Sequence, residues 1–88
     1  MNINVTAEDI QDGEPGVPCA CAIAVAARRS GLKHVAVRRK QISWWEGPVH
    51  NGGKHIVCDL PPEATAFIDA YDNSRRVSPF SFTINPEQ

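Results

Sequence analysis

The sequence predicts an α+β domain, a mostly antiparallel sheet of four to five strands with two main helices packed on one face. Three observations carry that expectation. Apolar residues alternate with period 2 in short stretches at both ends and in the middle of the chain, helical periodicity is confined to two longer stretches, and no segment repeats another. The 88 residues suit a single domain, 1–88, with room for one core.

The first element is a short strand, because Ile3 and Val5 alternate with polar neighbours in "INVT". Thr6 followed three residues on by Asp9 marks a helix start, with Glu8 and Asp9 where a helix N-terminus favours negative charge. "QDGEPGVP" then breaks the helix into a loop.

The next helix is expected over 18–30. Proline suits its first position, alanines fill its body, Arg28 and Arg29 complement the dipole at its end, and Gly31 supplies a left-handed cap, with Leu32 placed to make the accompanying apolar contact. On the helical wheel Ile23, Ala26 and Ala27 lie on one side, with Cys21 and Val25 nearly opposite. A helix apolar on both sides is either wedged between layers or leaves a stripe of small residues for a partner.

Strands follow. The apolar positions are odd in "HVAVRR" (Val35, Val37) and even in "QISWWE" (Ile42, Trp44). That change of parity requires a bulge or a turn near Arg39 to Gln41, so the basic triplet Arg38-Arg39-Lys40 falls at a kink. Asn51-Gly52 signals a hairpin into "KHIVCDL", whose Ile56, Cys58 and Leu60 share a face. The second main helix begins near Pro61 or Pro62, with Ala64, Phe67, Ile68 and Tyr71 at i, i+3, i+4 and i+7, and "SPFSFTIN" alternates Phe80, Phe82 and Ile84 into a last strand.

Composition narrows the function. The longest apolar run, "CACAIAVAA", has nine residues, less than half of a membrane span, so no membrane partner is expected. The opening residues lack the basic and apolar regions of a secretory signal, and three cysteines suit free thiols in a reducing compartment, which points to a cytoplasmic protein. Net charge is −1, but residues 28–54 carry seven cations against Glu46 alone, between acidic flanks. A pI of 6.3 is not that of a dedicated DNA binder.

Enzymatic and metal chemistry find little support. Cys19, Cys21, Cys58, His34, His50 and His55 could nominally bind zinc, but C-x-C at a helix start points two thiols about 200° apart, and His55 and Cys58 would face opposite sides of a strand. Cys19 and Cys21 in a first helical turn would have lowered thiol pKa values, yet the spacing positions no base beside them. Asp69 with Asp72, and Glu8 with Asp9, read as solvated charge, and no phosphate loop, nucleotide fingerprint or G-x-S-x-G is present. No catalytic residue, metal or cofactor is assigned.

"VRRKQISWWEG" is the richest stretch. Adjacent tryptophans on a strand point to opposite faces, so Trp44 goes inward with Ile42 and Trp45 outward with Ser43. An outward indole beside a basic kink and a Gly-rich hairpin suits a protein-docking surface, because tryptophan and arginine are over-represented among interface hot spots. The same residues could meet phosphates and stack a base, which makes weak nucleic-acid binding the alternative. Charge that merely discourages edge-to-edge pairing is the plainer explanation.

Three segments, "INVTAEDIQDGEPG", "CAIAVAARRSG" and "LPPEATAFIDAYDNSRRVSPFSFTI", resemble in order and spacing a group of small uncharacterised proteins encoded by bacteriophages and prophages. That group shows an opening "VT…DI…G", a Cys-Pro-Ile-Ala helix start and a closing "FI…D…VxPFxF". Ala22 stands here where such proteins often have proline, with Cys21 as the matching cysteine. The resemblance transfers no activity or catalytic residue. It implies a viral protein that acts as an inhibitor or modulator by binding a host or defence protein in the host cytoplasm.

The expectation is therefore a non-enzymatic domain that binds a protein with an acidic surface through 38–55. Arg38, Arg39, Lys40, Trp45, His50 and Lys54 are the candidate contact residues. A second copy of the chain, docked on the Cys21 and Val25 stripe or on an open sheet edge, is a further partner that the pattern admits.

Overall fold

Ile3 and Val5 are both buried while Asn2 and Asn4 between them are exposed, so the first strand has one apolar face and must cover it. A helix packs against it, and its edge partner comes from the far end of the chain. In the computed structural model, which describes residues 1–47 and 52–85, β1 (Asn2–Val5) pairs antiparallel with β5 (Phe80–Thr83), Ile3 opposite Phe82. Between them run α1 (Ala7–Asp12), α2 (Ala22–Arg29), β2 (Lys33–Val37), β3 (Gln41–Glu46), β4 (Lys54–Asp59) and α3 (Pro62–Asp72).

The class is α+β, with antiparallel strand pairs and two main helices, as the alternation implies. The strands do not form one sheet: β1 and β5 make a two-stranded ribbon, and β2, β3 and β4 make a three-stranded meander. Between them, β4 and β5 stay unpaired and leave a cleft of about 440 Å³ lined by residues from Val57 to Pro61 and from Thr83 to Asn85.

Helix α2 fills the space between ribbon and meander. Ala22, Ile23, Ala24, Ala26 and Ala27 are all fully buried, and the helix touches α1, β1 and β2. Alanine permits this because a small side chain lets backbones approach closely on several sides. Cys21 is buried and Val25 half-buried, so the stripe opposite Ile23 is largely covered and the helix is the wedge. Its end follows the sequence signals: Gly31 at φ 105° closes a Schellman turn, Leu32 N–H donating to Ala27 O (3.2 Å) and Gly31 N–H to Arg28 O (3.0 Å).

Its beginning does not. The helix starts at Ala22, with Cys21 as N-cap, rather than at Pro18. The carbonyls that would open the earlier turns are already taken, that of Pro18 by Val37 N–H (2.8 Å) and that of Ala20 by Glu14 N–H (2.7 Å). Cys19 is consequently an exposed loop residue, and neither it nor Cys21 lies inside a first helical turn.

The parity change is a turn. Arg38 N–H donates to Gln41 O (2.7 Å), which folds β2 back on β3 with Val37 opposite Ile42. A bulge exists as well, but earlier, where the register slips between Lys33 and Ala36 and His34 takes φ 55°. β3 and β4 pair without a slip from Gln41 opposite Asp59 to Glu46 opposite Lys54. The hairpin signal falls partly on Asn51, which lies outside the described residues.

One core unites these pieces. Trp44 is 1% exposed and sits with Ile42, Ile56, Val37 and the buried face of α2. On the ribbon side Tyr71, Phe67, Phe80 and Phe82 form a run of stacked rings 4.7 to 5.5 Å apart, which ties α3 to β5. α1 is held by a capping box between Thr6 and Asp9 and by the Tyr71 hydroxyl, which donates to Ile10 O (2.9 Å).

Candidate interaction face

The meander has an inner face that carries Val35, Val37, Ile42, Trp44, Ile56 and Cys58 into the core, and an outer face that no helix covers among the described residues. Alternation makes this inevitable. Once Trp44 is inside, Trp45 must be outside, and pairing places His55 directly opposite it. The two rings stack, centroids 5.0 Å apart and planes 21° from parallel. Trp45 is thus half-buried against His55 rather than fully free.

Around that stack lie Val57, 46% exposed, and the small residues Ala36 and Ser43, rimmed by His34, Arg38 and Gln41. Together they form a shallow depression of about 250 Å³ whose lining is part apolar and part polar. Its charged or chargeable rim is basic except near Gln41, whose amide approaches Asp59 at 3.5 Å. The His34 bulge helps shape it by turning that side chain away from the regular strand positions.

The structure distributes the candidate contact residues unequally. Trp45 and Arg38 belong to this face. Arg39 turns toward α3 and forms a two-pronged ion pair with Asp69, Nε to Oδ1 3.0 Å and a second guanidinium nitrogen to Oδ2 3.3 Å. Lys40 borders a different depression, with Leu60, Pro62, Thr65 and Asp69. Lys54 stands at the far end of β4 opposite Glu46, and by parity on the side of Ile56. His50 lies outside the described residues. The turn between β2 and β3 therefore fans the basic triplet out instead of presenting it as one patch.

His34, His55 and Val57 complete the face and were not among the sequence candidates. Alternation in "KHIVCD" already grouped His55 with Val57 opposite Cys58; only the register with β3 was missing. His34 needed knowledge of the bulge.

The other chemical candidates are dispersed. His55 and Cys58 do face opposite sides of β4, and among the described residues no three His, Cys, Asp or Glu side chains converge to hold a metal. Burial raises the Cys21 thiol pKa above the ordinary range, outweighing the opposing pull of the Ala24 and Ile23 N–H groups. Burial raises Cys58 too. Both thiols are thereby held in their unreactive form. The reading of Asp9 as solvated charge is corrected: it is 3% exposed, accepts Thr6 N–H (2.8 Å) and pairs with Arg29 at 2.6 Å. Asp69 serves Arg39, and Asp72 accepts Gly16 N–H at 2.9 Å.

No family model matches the chain, and neither a curated protein nor a solved structure matches it at the significance required.

Proposed function

We propose that this domain binds a protein with an acidic surface through the outer face of the meander, and that it modulates or inhibits that protein by doing so. What supports this reading is one observation above the rest: a half-buried indole and an exposed valine lie together on an uncovered sheet face with Arg38, His34 and His55 around them. Apolar anchors inside a polar rim are the usual anatomy of an interface, and Arg38 at that rim favours an acidic partner in encounter and register. The resemblance to phage-encoded proteins adds the setting, a host or defence protein as target.

Weak binding of single-stranded nucleic acid at the same face is the second reading, favoured by the Trp45 and His55 stack, which offers a π-surface. It is disfavoured by the fan of the triplet, which leaves Arg38 as the single guanidinium on the face.

The test is affinity capture from bacterial lysate with wild type and Trp45→Ala in parallel, each with and without nuclease. A discrete protein held by wild type, resistant to nuclease and lost with Trp45→Ala supports docking. Capture that vanishes with nuclease supports nucleic acid, and its affinity then falls log-linearly and steeply with salt. Capture that Trp45→Ala does not alter removes the face from both readings.

A further inference from the structure

The two edges of the meander are finished differently. At the β2 edge the strand is interrupted by the His34 bulge, and Val37 N–H is already bonded to Pro18 O (2.8 Å). Bulges and local partners of this kind keep an edge from pairing with another chain. β4 has neither: it keeps one register with β3 over all six of its residues, and it contains no proline or glycine.

The backbone groups exposed along β4 follow from one bond. Leu60 N–H donates to Lys40 O (2.9 Å), so 40 and 60 are a hydrogen-bonded pair, and antiparallel pairs alternate between bonded and non-bonded. Cys58, Ile56 and Lys54 then bond to β3, while the N–H and C=O groups of His55, Val57 and Asp59 point away from it, the last two beside the cleft whose far wall is Thr83 to Asn85. The Arg38 bond to Gln41 on the other side of β3 fits the same alternation. Among the described residues none of those groups makes a further backbone bond at that edge.

We propose that β4 pairs antiparallel with β4 of a second copy, about a two-fold axis at Val57, to give a six-stranded sheet. The strand is complementary to itself. A two-fold axis normal to the sheet keeps inner faces inner, so opposed residues must share parity. Centring on Val57 sets the two exposed valines side by side, flanks them with His55 opposite Asp59 of the second copy twice over, and joins Ile56 to Cys58 on the inner face. Centring on Ile56 instead would oppose His55 to Val57 and Asp59 to Gly53, leaving neither the imidazole nor the carboxylate with a polar side chain opposite it. A sheet-edge contact of this length is small, so the dimer is a weak one, with a dissociation constant on the order of micromolar or above.

This association uses the backbone edge of β4, although His55 and Val57 also line the outer face, and sedimentation of the chain alone reads it without any other partner. Sedimentation equilibrium of the full chain is run from low micromolar to millimolar concentration, with reductant so that exposed Cys19 forms no cross-link. Wild type should show a monomer–dimer equilibrium. Asp59→Lys should weaken it at least about tenfold by removing, twice over, the carboxylate that accepts from the His55 imidazole of the second copy, and the exchange His55→Asp with Asp59→His should restore it. Val57→Pro should abolish it while the monomer stays folded by circular dichroism, since the N–H it removes faces the open edge. A wild-type chain monomeric throughout overturns the proposal, as does a dimer indifferent to Asp59→Lys.

Discussion

Asp9 shows how much one side chain can hold at the residue scale. Its carboxylate closes the capping box of α1 and takes the Arg29 guanidinium from the end of α2, so two helices and the start of the chain meet on it. Asp9→Ala leaves Thr6 N–H without its acceptor and the Arg29 guanidinium with the Asn4 carbonyl in place of an ion pair, and the expected loss is about 2 kcal/mol of stability, read as a lower urea midpoint. Trp45 carries the opposite expectation. It rests on the surface of the meander, so Trp45→Ala should leave a folded domain by circular dichroism yet lose about 1 to 2 kcal/mol of partner binding, measured by titration calorimetry. Trp45 was legible because adjacent strand residues must diverge. Asp9 was not, because its burial depends on where Arg29 arrives from another helix.

Elements were legible wherever local chemistry decides them. Gly31, Leu32 and two arginines set the end of α2 as written, whereas its start was decided by tertiary bonds to the Pro18 and Ala20 carbonyls that no local pattern encodes. Gly13 teaches the same at the packing level. Its φ of −75° is open to any residue, yet a Cβ there would lie 2.6 Å from Ala22 N and 2.7 Å from the Tyr71 hydroxyl. Gly13→Ala should therefore cost about 1 to 3 kcal/mol by overpacking. Gly31→Ala meets no neighbour and should cost only about 1 kcal/mol, through its positive φ. Paired denaturant melts of the two variants separate space from conformation as the reason for a glycine.

At the scale of the whole molecule, the buried thiols tie stability to alkaline pH. Burial raises Cys21, Cys58 and Tyr71 above their ordinary ranges, so each stays protonated in the fold under conditions where the unfolded chain has begun to release its proton. Their contribution is complete below the unfolded thiol value of about 8.5 and is lost as pH rises through the raised folded values. The urea midpoint should accordingly fall between pH 8 and 10 in reductant, and fall less in a Cys21→Ala, Cys58→Ala double variant. The α+β class was legible at this scale because alternation and helical period are local. The split into ribbon and meander was not, since it rests on β4 and β5 failing to pair across their cleft.

The ribbon has a kinetic consequence. Asn2 pairs with Thr83, so forming it closes nearly the whole chain into a loop, whereas each hairpin of the meander closes only a short one. Loop closure must be met before a distant pair rewards it, so the meander belongs to the early nucleus and the ribbon zips last. In stopped-flow chevrons Ile42→Val should chiefly slow folding, and Phe82→Leu should chiefly speed unfolding. The strand that opens the chain would then be the last to find its place, and the first to leave it.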